Sequence, residues 1–346
     1  QTEQGGQRDI TYHDSSSPVA NRSQTAGHRQ RALATAAKVR CGEMSEQHGR
    51  LLVAGQAWGG HRSAISARRK TPVGQLSRRS TGTFPQPAGA YNGPMRMFAL
   101  QSGSNGNCIF VEAGGVRLLI DAGISGVQME QRLAAHGVRP DEIDALLISH
   151  DHRDHAQCMG IYQRKLRIPV YVTAPTLQAA RGRTKLGRID DVRCFTAGES
   201  VHLGSVTVET IPTPHDGADG VAFVIDDGRC RLGVMTDLGH VFAGLEEVLL
   251  SLDAVLLESN YDPQMLKDGP YPAFLQERIE GPGGHLSNLD AAGLLQRAFQ
   301  SRLRWACLGH LSEHNNHPAV ALQTHRAVLG ERCLLRLASR HMPSDM

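Results

Sequence analysis

Six consecutive residues constrain this chain more than any others: His150-Asp151-His152-Arg153-Asp154-His155, directly behind the strand-like run 143–149. Three imidazoles and a carboxylate leave one buried strand together, in the order H-x-H-x-D-H. Imidazole suits zinc and similar borderline ions. On an extended turn His150 and His152 alternate and can address one metal, while Asp154 and His155 face a second. A fold built on this segment needs further ligands at the same strand end, and three are available. His215 follows the run 206–211, Asp237 follows 231–236 and His310 follows 304–309. Each stands where an apolar run gives way to a polar loop. A carboxylate can bridge two cations, which a single imidazole cannot. The expected set is His150, His152 and His215 for one ion, Asp154, His155 and His310 for the other, and Asp237 shared. Each ion then keeps an open position, as catalytic sites do.

This pattern resembles the signature of the metallo-β-lactamase fold superfamily of metallohydrolases, from about Met97 to about Leu337. Shorter motifs are similar to its YycJ-like (WalJ-like) branch: the glycine turn 100–107, Glu258-Ser259-Asn260-Tyr261-Asp262, Gly284-His285-Leu286-Ser287-Asn288, and the Asn-rich loop 310–316. Leu119-Ile120-Asp121-Ala122-Gly123 matches the superfamily's first motif, and the resemblance gives Asp121 the role of supporting the metal loop from behind. It implies an α/β fold, a four-layer αββα sandwich, with two divalent metal ions at one edge between the sheets. Tyr261 departs from the branch, which often has histidine there, so no accessory histidine role carries over. Redox members of the superfamily generally replace the second motif histidine by Glu. Here it is His152, which disfavours iron and leaves zinc as the default, with manganese compatible with phosphodiester chemistry.

Two cations about 3.5–4 Å apart acidify a shared water and clamp attacking and leaving oxygens. Asp154 can ligate and also align the attacking hydroxide. His285 stands outside the ligand count and is the candidate for protonating a leaving group or stabilising an oxyanion. Its segment resembles the accessory histidine of ribonuclease Z-type phosphodiesterases. The bland alternative is a histidine at a helix start, with Ser287 or Asn288 as cap.

The leading reading is a phosphodiesterase, a nuclease resembling DNA exonucleases, with nucleic acid as its substrate. Residues 164–193 carry eight Lys/Arg, among them Arg164, Lys165 and Arg167, against Asp190 and Asp191. Such a wall could track a phosphate backbone; it could equally be two solvated helix faces. The turn from Ser102 to Asn107 offers backbone N–H groups to a phosphate, or is simply a tight turn. Tyr261 could stack on a base or close a strand. The alternative function is a thioester or lactone hydrolase of the glyoxalase II-like kind, which uses nearly the same ligands. A β-lactamase generally lacks the bridging Asp. A non-catalytic scaffold generally shows broken ligand motifs, and all seven are intact here. Positions 238–309 leave 72 residues between Asp237 and His310, too few for the large insertion of ribonuclease J-like relatives.

The net charge of +3 divides unevenly. Residues 1–94 hold 13 Lys/Arg and 5 Asp/Glu, a net of +8, which leaves 24 against 29, or −5, for residues 95–346. The first segment is rich in Gly, Ser, Gln and Arg, and cannot offset folding entropy by burial. It is expected to be a disordered extension, upstream sequence ahead of a start at Met95 or Met97, a nucleic-acid-touching arm, or a targeting segment. Residues 95–346 are the expected hydrolase domain. No run approaches the roughly 18 apolar residues of a membrane span. Seven cysteines without a CxxC pair suggest reduced thiols and a cytoplasmic setting. Cys158 is expected to pack rather than ligate.

Patterning from Met97 predicts strands at 97–101, 108–113, 116–120, 143–149, 169–173, 200–203, 206–211, 220–226, 230–236, 253–258, 304–309 and 332–337. Helices are predicted at 126–136, 156–166, 175–184, 241–250, within 272–279, 289–299 and at 318–328. Gly114-Gly115 and Asp227-Gly228 mark hairpins.

Overall fold

The computed structural model describes residues 93–331 and 333–344. Apart from Gly93 and Pro94, the expected extension lies outside the described residues.

Two sheets stack face to face. The first has six strands in sequence order: β1 (Arg96–Gln101), β2 (Cys108–Ala113), β3 (Val116–Ile120), β4 (Ala145–Leu147), β5 (Val170–Thr173) and β6 (Val192–Phe195). The second has seven: β7 (Ser200–Leu203), β8 (Val206–Pro212), β9 (Val221–Asp226), β10 (Arg231–Met235), β11 (Ala254–Glu258), β12 (Trp305–Gly309) and β13 (Leu334–Leu337). Each sheet begins with antiparallel pairs and turns parallel, at β3–β4 in the first and at β10–β11 in the second. Glycines at positive φ, Gly114 at 55° and Gly115 at 81°, make the first hairpin. The second is a four-residue loop, since Asp226 pairs with Arg231.

Strand periodicity explains the layering. In β1, Met97 and Ala99 face the other sheet while Phe98 and Leu100 face outward, and all four are buried. In β9, Val221, Phe223 and Ile225 face inward while Ala222 and Val224 face out. Strands buried on both faces need covering helices. The first sheet is covered by α1 (Gly126–Ala135), α3 (Met159–Leu166) and α4 (Ala174–Arg183) through Met129, Leu133, Met159, Tyr162 and Leu177; the short α2 (Arg153–Ala156) lies at its edge. The second is covered by α5 (Leu245–Leu250), α8 (Asn288–Ala298) and α9 (Pro318–Leu329). The result is the expected αββα sandwich. Between α5 and α8 come α6 (Pro263–Asp268) and α7 (Ala273–Glu280), which build a small separate cluster from Tyr261, Leu266 and Ile279.

Four departures from the sequence pattern have local causes. The predicted helix 156–166 breaks at Gln157–Cys158, because Ala122 intervenes: its N–H donates to the His155 carbonyl and its own carbonyl accepts from the Cys158 N–H. Helix 241–250 begins only at Leu245, after Gly244 at φ 91°. Strand β6 is four residues long and follows a charged run, too short for a periodic signal. Helix α6 is one and a half turns, yet its start was written as Asp262-Pro263: the Asp262 carboxylate accepts from the Gln264 and Met265 N–H groups.

Gly123 is the tightest point. A Cβ there would lie 1.7 Å from the Asp154 carbonyl oxygen and 2.5 Å from the Asn107 nitrogen, which bond to each other at 2.7 Å. Gly123→Ala should therefore push the metal loop away from the sheet. The expected cost is about 1–3 kcal/mol, read from urea unfolding, together with a fall in bound metal.

Candidate metal centre

Every expected ligand emerges from the same edge. His150 follows β4, His152 precedes α2, and Asp154 and His155 lie on α2. His215 follows β8, Asp237 follows β10 and His310 follows β12. Their donor atoms fall into groups within 4.8 Å: His150, His152 and His215; Asp154, His155 and His310; and His150, His155 and Asp237. Asp237 is thus within reach of both imidazole groups. All seven are buried or nearly so, with His152 and Asp154 the most open.

Acceptors behind the rings set their tautomers. Asp121 Oδ2 lies 2.7 Å from His155 Nδ1. The carbonyl of Gly284 lies 2.8 Å from His215 Nδ1, and Glu258 Oε1 lies 3.1 Å from His310 Nδ1. A carboxylate or carbonyl only accepts, so each Nδ1 carries the proton and each Nε2 offers a lone pair to the cluster. Asp121 does more. Its Oδ1 accepts from Ser149 N–H at 2.8 Å and from Ser149 Oγ at 2.9 Å, and Ser149 Oγ stands 3.0 Å from His150 Nδ1. One carboxylate thereby orients two imidazoles. Asp121, Asp237 and His310 all hold positive φ, at 64°, 57° and 55°. That conformation costs non-glycine residues of order 1–3 kcal/mol each and clusters at functional sites.

The residues fit divalent ions. His150 Nε2, Asp237 Oδ2 and His310 Nε2 are buried without a hydrogen-bond partner, which ordinary packing avoids. Asp237 Oδ2 sits 3.1 Å from His155 Nε2 without aligning as a hydrogen bond. Burial, then the neighbouring His155 ring, pushes the His150 imidazole well below its usual value, into the neutral form a metal needs. Burial opposes charge on Asp237, but His310 and His155 outweigh it and hold the carboxyl well below its usual range. Burial likewise opposes a charged His310, yet Asp237, Asp154 and Glu258 raise it to about 10. The cluster is built to be filled by positive charge, and metal ions compete with protons for it.

His285 lies beside the ligands on the loop between α7 and α8. Its Nδ1 is 2.7 Å from Glu258 Oε1, so its Nε2 is free of that contact, and its ring sits 5.3 Å from that of His310. Ser287, not His285, caps α8. Glu258 has no role in the sequence pattern beyond its branch motif, yet it anchors both His285 and His310 and accepts from the Leu238 and Leu286 N–H groups. Burial opposes its charge, but His285 and then His310 bring the carboxyl down to about 2.

The expected substrate contacts are placed differently. Ser102 Oγ accepts from the His310 N–H. Asn107 clasps Gly103 through both side-chain atoms and approaches His155 Nε2 at 2.9 Å. The N–H groups of Ser102, Gly103, Gly106 and Asn107 are all engaged within the protein, so this turn braces the site and those four do not cradle a phosphate. Arg164 donates to the carbonyls of Leu186 and Arg188, Lys165 pairs with Glu130, and Arg167 ends α3 in the left-handed region. None of the three lines the metal cleft, a space of about 310 Å³ whose cationic residues are Arg153, Arg183 and Arg278. Arg183 pairs with Asp151, and Arg278 with Asp216. Tyr261 is 7 % exposed and packs with Leu266 and Ile279, which removes it from base stacking. Cys158 is half-buried, and none of the groups that could hold a metal includes it.

An αββα sandwich with this His/Asp cluster at its strand ends is the frame of metal-dependent hydrolases. Residues 116–310 match the model of the beta-lactamase superfamily domain, and the chain belongs to that family. It is 34% identical over 229 residues to the exodeoxyribonuclease WalJ of Streptococcus pneumoniae, covering 65% of this chain and 84% of that protein. It is 30% identical over 233 residues to the exodeoxyribonuclease YycJ of Bacillus anthracis, covering 67% of this chain and 88% of the other. The metallo-beta-lactamase fold protein YhfI of Bacillus subtilis superposes with a TM-score of 0.58 at 17% identity, over 73% of this chain and all of that one.

Asp121→Asn tests the anchoring carboxylate. Asparagine tolerates positive φ and keeps the bond to Ser149, but it removes the charge facing His155. Metal affinity should fall about 10–100-fold, measured by competition with a chromophoric chelator.

Proposed function

We propose that the protein is a metal-dependent exodeoxyribonuclease. The observation that carries this is the likeness to WalJ and YycJ along most of their length; a cleft walled by the ligand cluster, His285 and three arginines supports it. His150, His152 and His215 would hold one ion and Asp154, His155 and His310 the other, with Asp237 between them. Zinc fits this imidazole-rich set, and manganese is compatible. Bound divalent ions supply Lewis acidity and bring the pKa of water toward neutrality.

The chain's own residues do the rest. Arg153, the cleft arginine with no carboxylate partner among the described residues, attracts the phosphodiester to the cleft. Asp154, the more exposed of the two cluster aspartates, faces the reacting water. His285 presents Nε2 to the departing oxygen and donates its proton as general acid. Glu258 accepts from His285 Nδ1 and so turns its Nε2 toward the cleft. The reaction unit is residues 95–346: Met95 already packs on the core between the sheets. We place the protein in the cytoplasm, on seven cysteines without a CxxC pair. Among the described residues, no helix is long and apolar enough to cross a membrane.

The test is incubation of metal-loaded protein with end-labelled duplex and single-stranded DNA, RNA and a thioester panel. DNA should be shortened from an end, stripping metal should abolish this, and zinc or manganese should restore it. Efficient thioester cleavage with no action on nucleic acid would replace the proposal by the small-molecule alternative. His285→Ala should keep its metal and lose roughly 10²–10⁴-fold in rate; metal loss instead would make His285 a ligand. A chain beginning at Met95 should match the full chain in metal content and rate, and an insoluble or inactive product would show that residues 1–94 belong to the enzyme.

A further inference from the structure

A second space adjoins the metal cleft. It encloses about 530 Å³, within the range of small-ligand sites. Ser104 lines the cleft and its neighbour Asn105 lines this cavity, so one turn borders both spaces. Gly123 and Gln157, which flank the Asp154–His155 segment, form part of its wall.

Its lining is cationic and polar, with no Asp or Glu. Arg132 donates to the carbonyls of Leu100 and His341 at 2.9 and 2.8 Å and touches Gln101; among the described residues it forms no ion pair with a carboxylate. Arg340 pairs with the exposed Glu313 at 2.6 Å, while its buried Nε has no hydrogen-bond partner. The third feature is the start of α1, a ten-residue helix with Ser125 as N-cap and no acid in its first turn. A helix N-terminus carries partial positive charge and binds anions. Two guanidinium groups and a helix end therefore share one cavity; Glu313, outside its lining, pairs with Arg340, and Arg132 has no carboxylate partner among the described residues.

We propose that this cavity receives the terminal phosphate of the strand being degraded, so that the enzyme recognises strand ends here while the neighbouring cleft hydrolyses. This rests on the exodeoxyribonuclease reading. A terminal phosphomonoester carries close to two negative charges at neutral pH against one for an internal diester. Arg132, which has no carboxylate partner among the described residues, and the start of α1 favour the former, and guanidinium groups and helix N-termini suit its oxygens. A free mononucleotide offers the same chemistry, and the assay separates the two sources.

Gln128→Glu is the decisive variant. Gln128 lines the cavity at the third position of α1 and completes a capping box with Ser125. Glutamate preserves that box and suits the helix dipole, so the fold is kept while an anion enters the cavity. With the unaltered holoenzyme, DNA strands bearing a terminal phosphate should show a KM about tenfold lower than the same strands ending in hydroxyl. Gln128→Glu should erase that difference and leave hydrolysis of bis-p-nitrophenyl phosphate, which needs only the cleft, unchanged. Equal KM values for the two ends, or a preference that survives Gln128→Glu, would overturn the proposal while leaving the nuclease reading intact. If no DNA is cleaved at all, the nuclease reading fails by itself. Equilibrium binding of a phosphorylated against an unphosphorylated trinucleotide then decides the cavity by the same loss in Gln128→Glu. Inhibition by dAMP that is sensitive to Gln128→Glu, without any effect of the strand's terminal phosphate, would make the cavity a product site and overturn end recognition.

Discussion

The carboxylate of Asp121 stands behind the metal loop, 2.7 Å from His155 and bonded to Ser149, and much of the site depends on it. It sits at the end of β3, one strand away from the loop it braces, and adopts positive φ to do so. Through Ser149 it also reaches His150. Removing a buried anion that orients two imidazoles leaves their donors facing nothing, which costs more than the bond itself. Glu258 repeats the device on the other sheet, where it holds His310 and His285. Each sheet thus contributes one buried carboxylate whose work is to aim rings.

Most of the fold was legible because both sheets bury both faces. Strands β1, β2 and β9 read as apolar runs bounded by glycine turns, and α1, α8 and α9 carry clear apolar stripes. What escaped was short or set by distant chain. Strand β6 exists because β5 offers it an edge, and the break after α2 exists because Ala122 inserts its peptide. No local pattern encodes either.

The ligand candidates were legible for a different reason. Ligands must leave strand ends, and His, Asp and His after three separate apolar runs announce that. Asp121 came from the motif resemblance. Glu258 was hidden inside β11, where a lone carboxylate at the end of an apolar strand looks like a strand terminus; only the convergence of β11 and β12 brings it under His310. Arg164, Lys165 and Arg167 misled because a basic run says nothing about direction. Their helix presents Arg164 to the 186–188 loop and Lys165 to Glu130, and Arg167 ends it, whereas the cleft draws Arg153, Arg183 and Arg278 from three separate places in the chain.

The hydrogen bond from the His310 N–H to Ser102 Oγ joins residues 208 positions apart. It has a consequence for the order in which the molecule is made. The candidate ligands between 150 and 155 belong to the first sheet, and those at 215, 237 and 310 to the second. On the ribosome, the early ligands emerge long before their counterparts, and His310 can be set only after Ser102 has waited for it. A nascent chain therefore cannot complete the centre piecemeal. Any ion the cluster takes up is therefore selected after both sheets have docked, by geometry rather than first encounter.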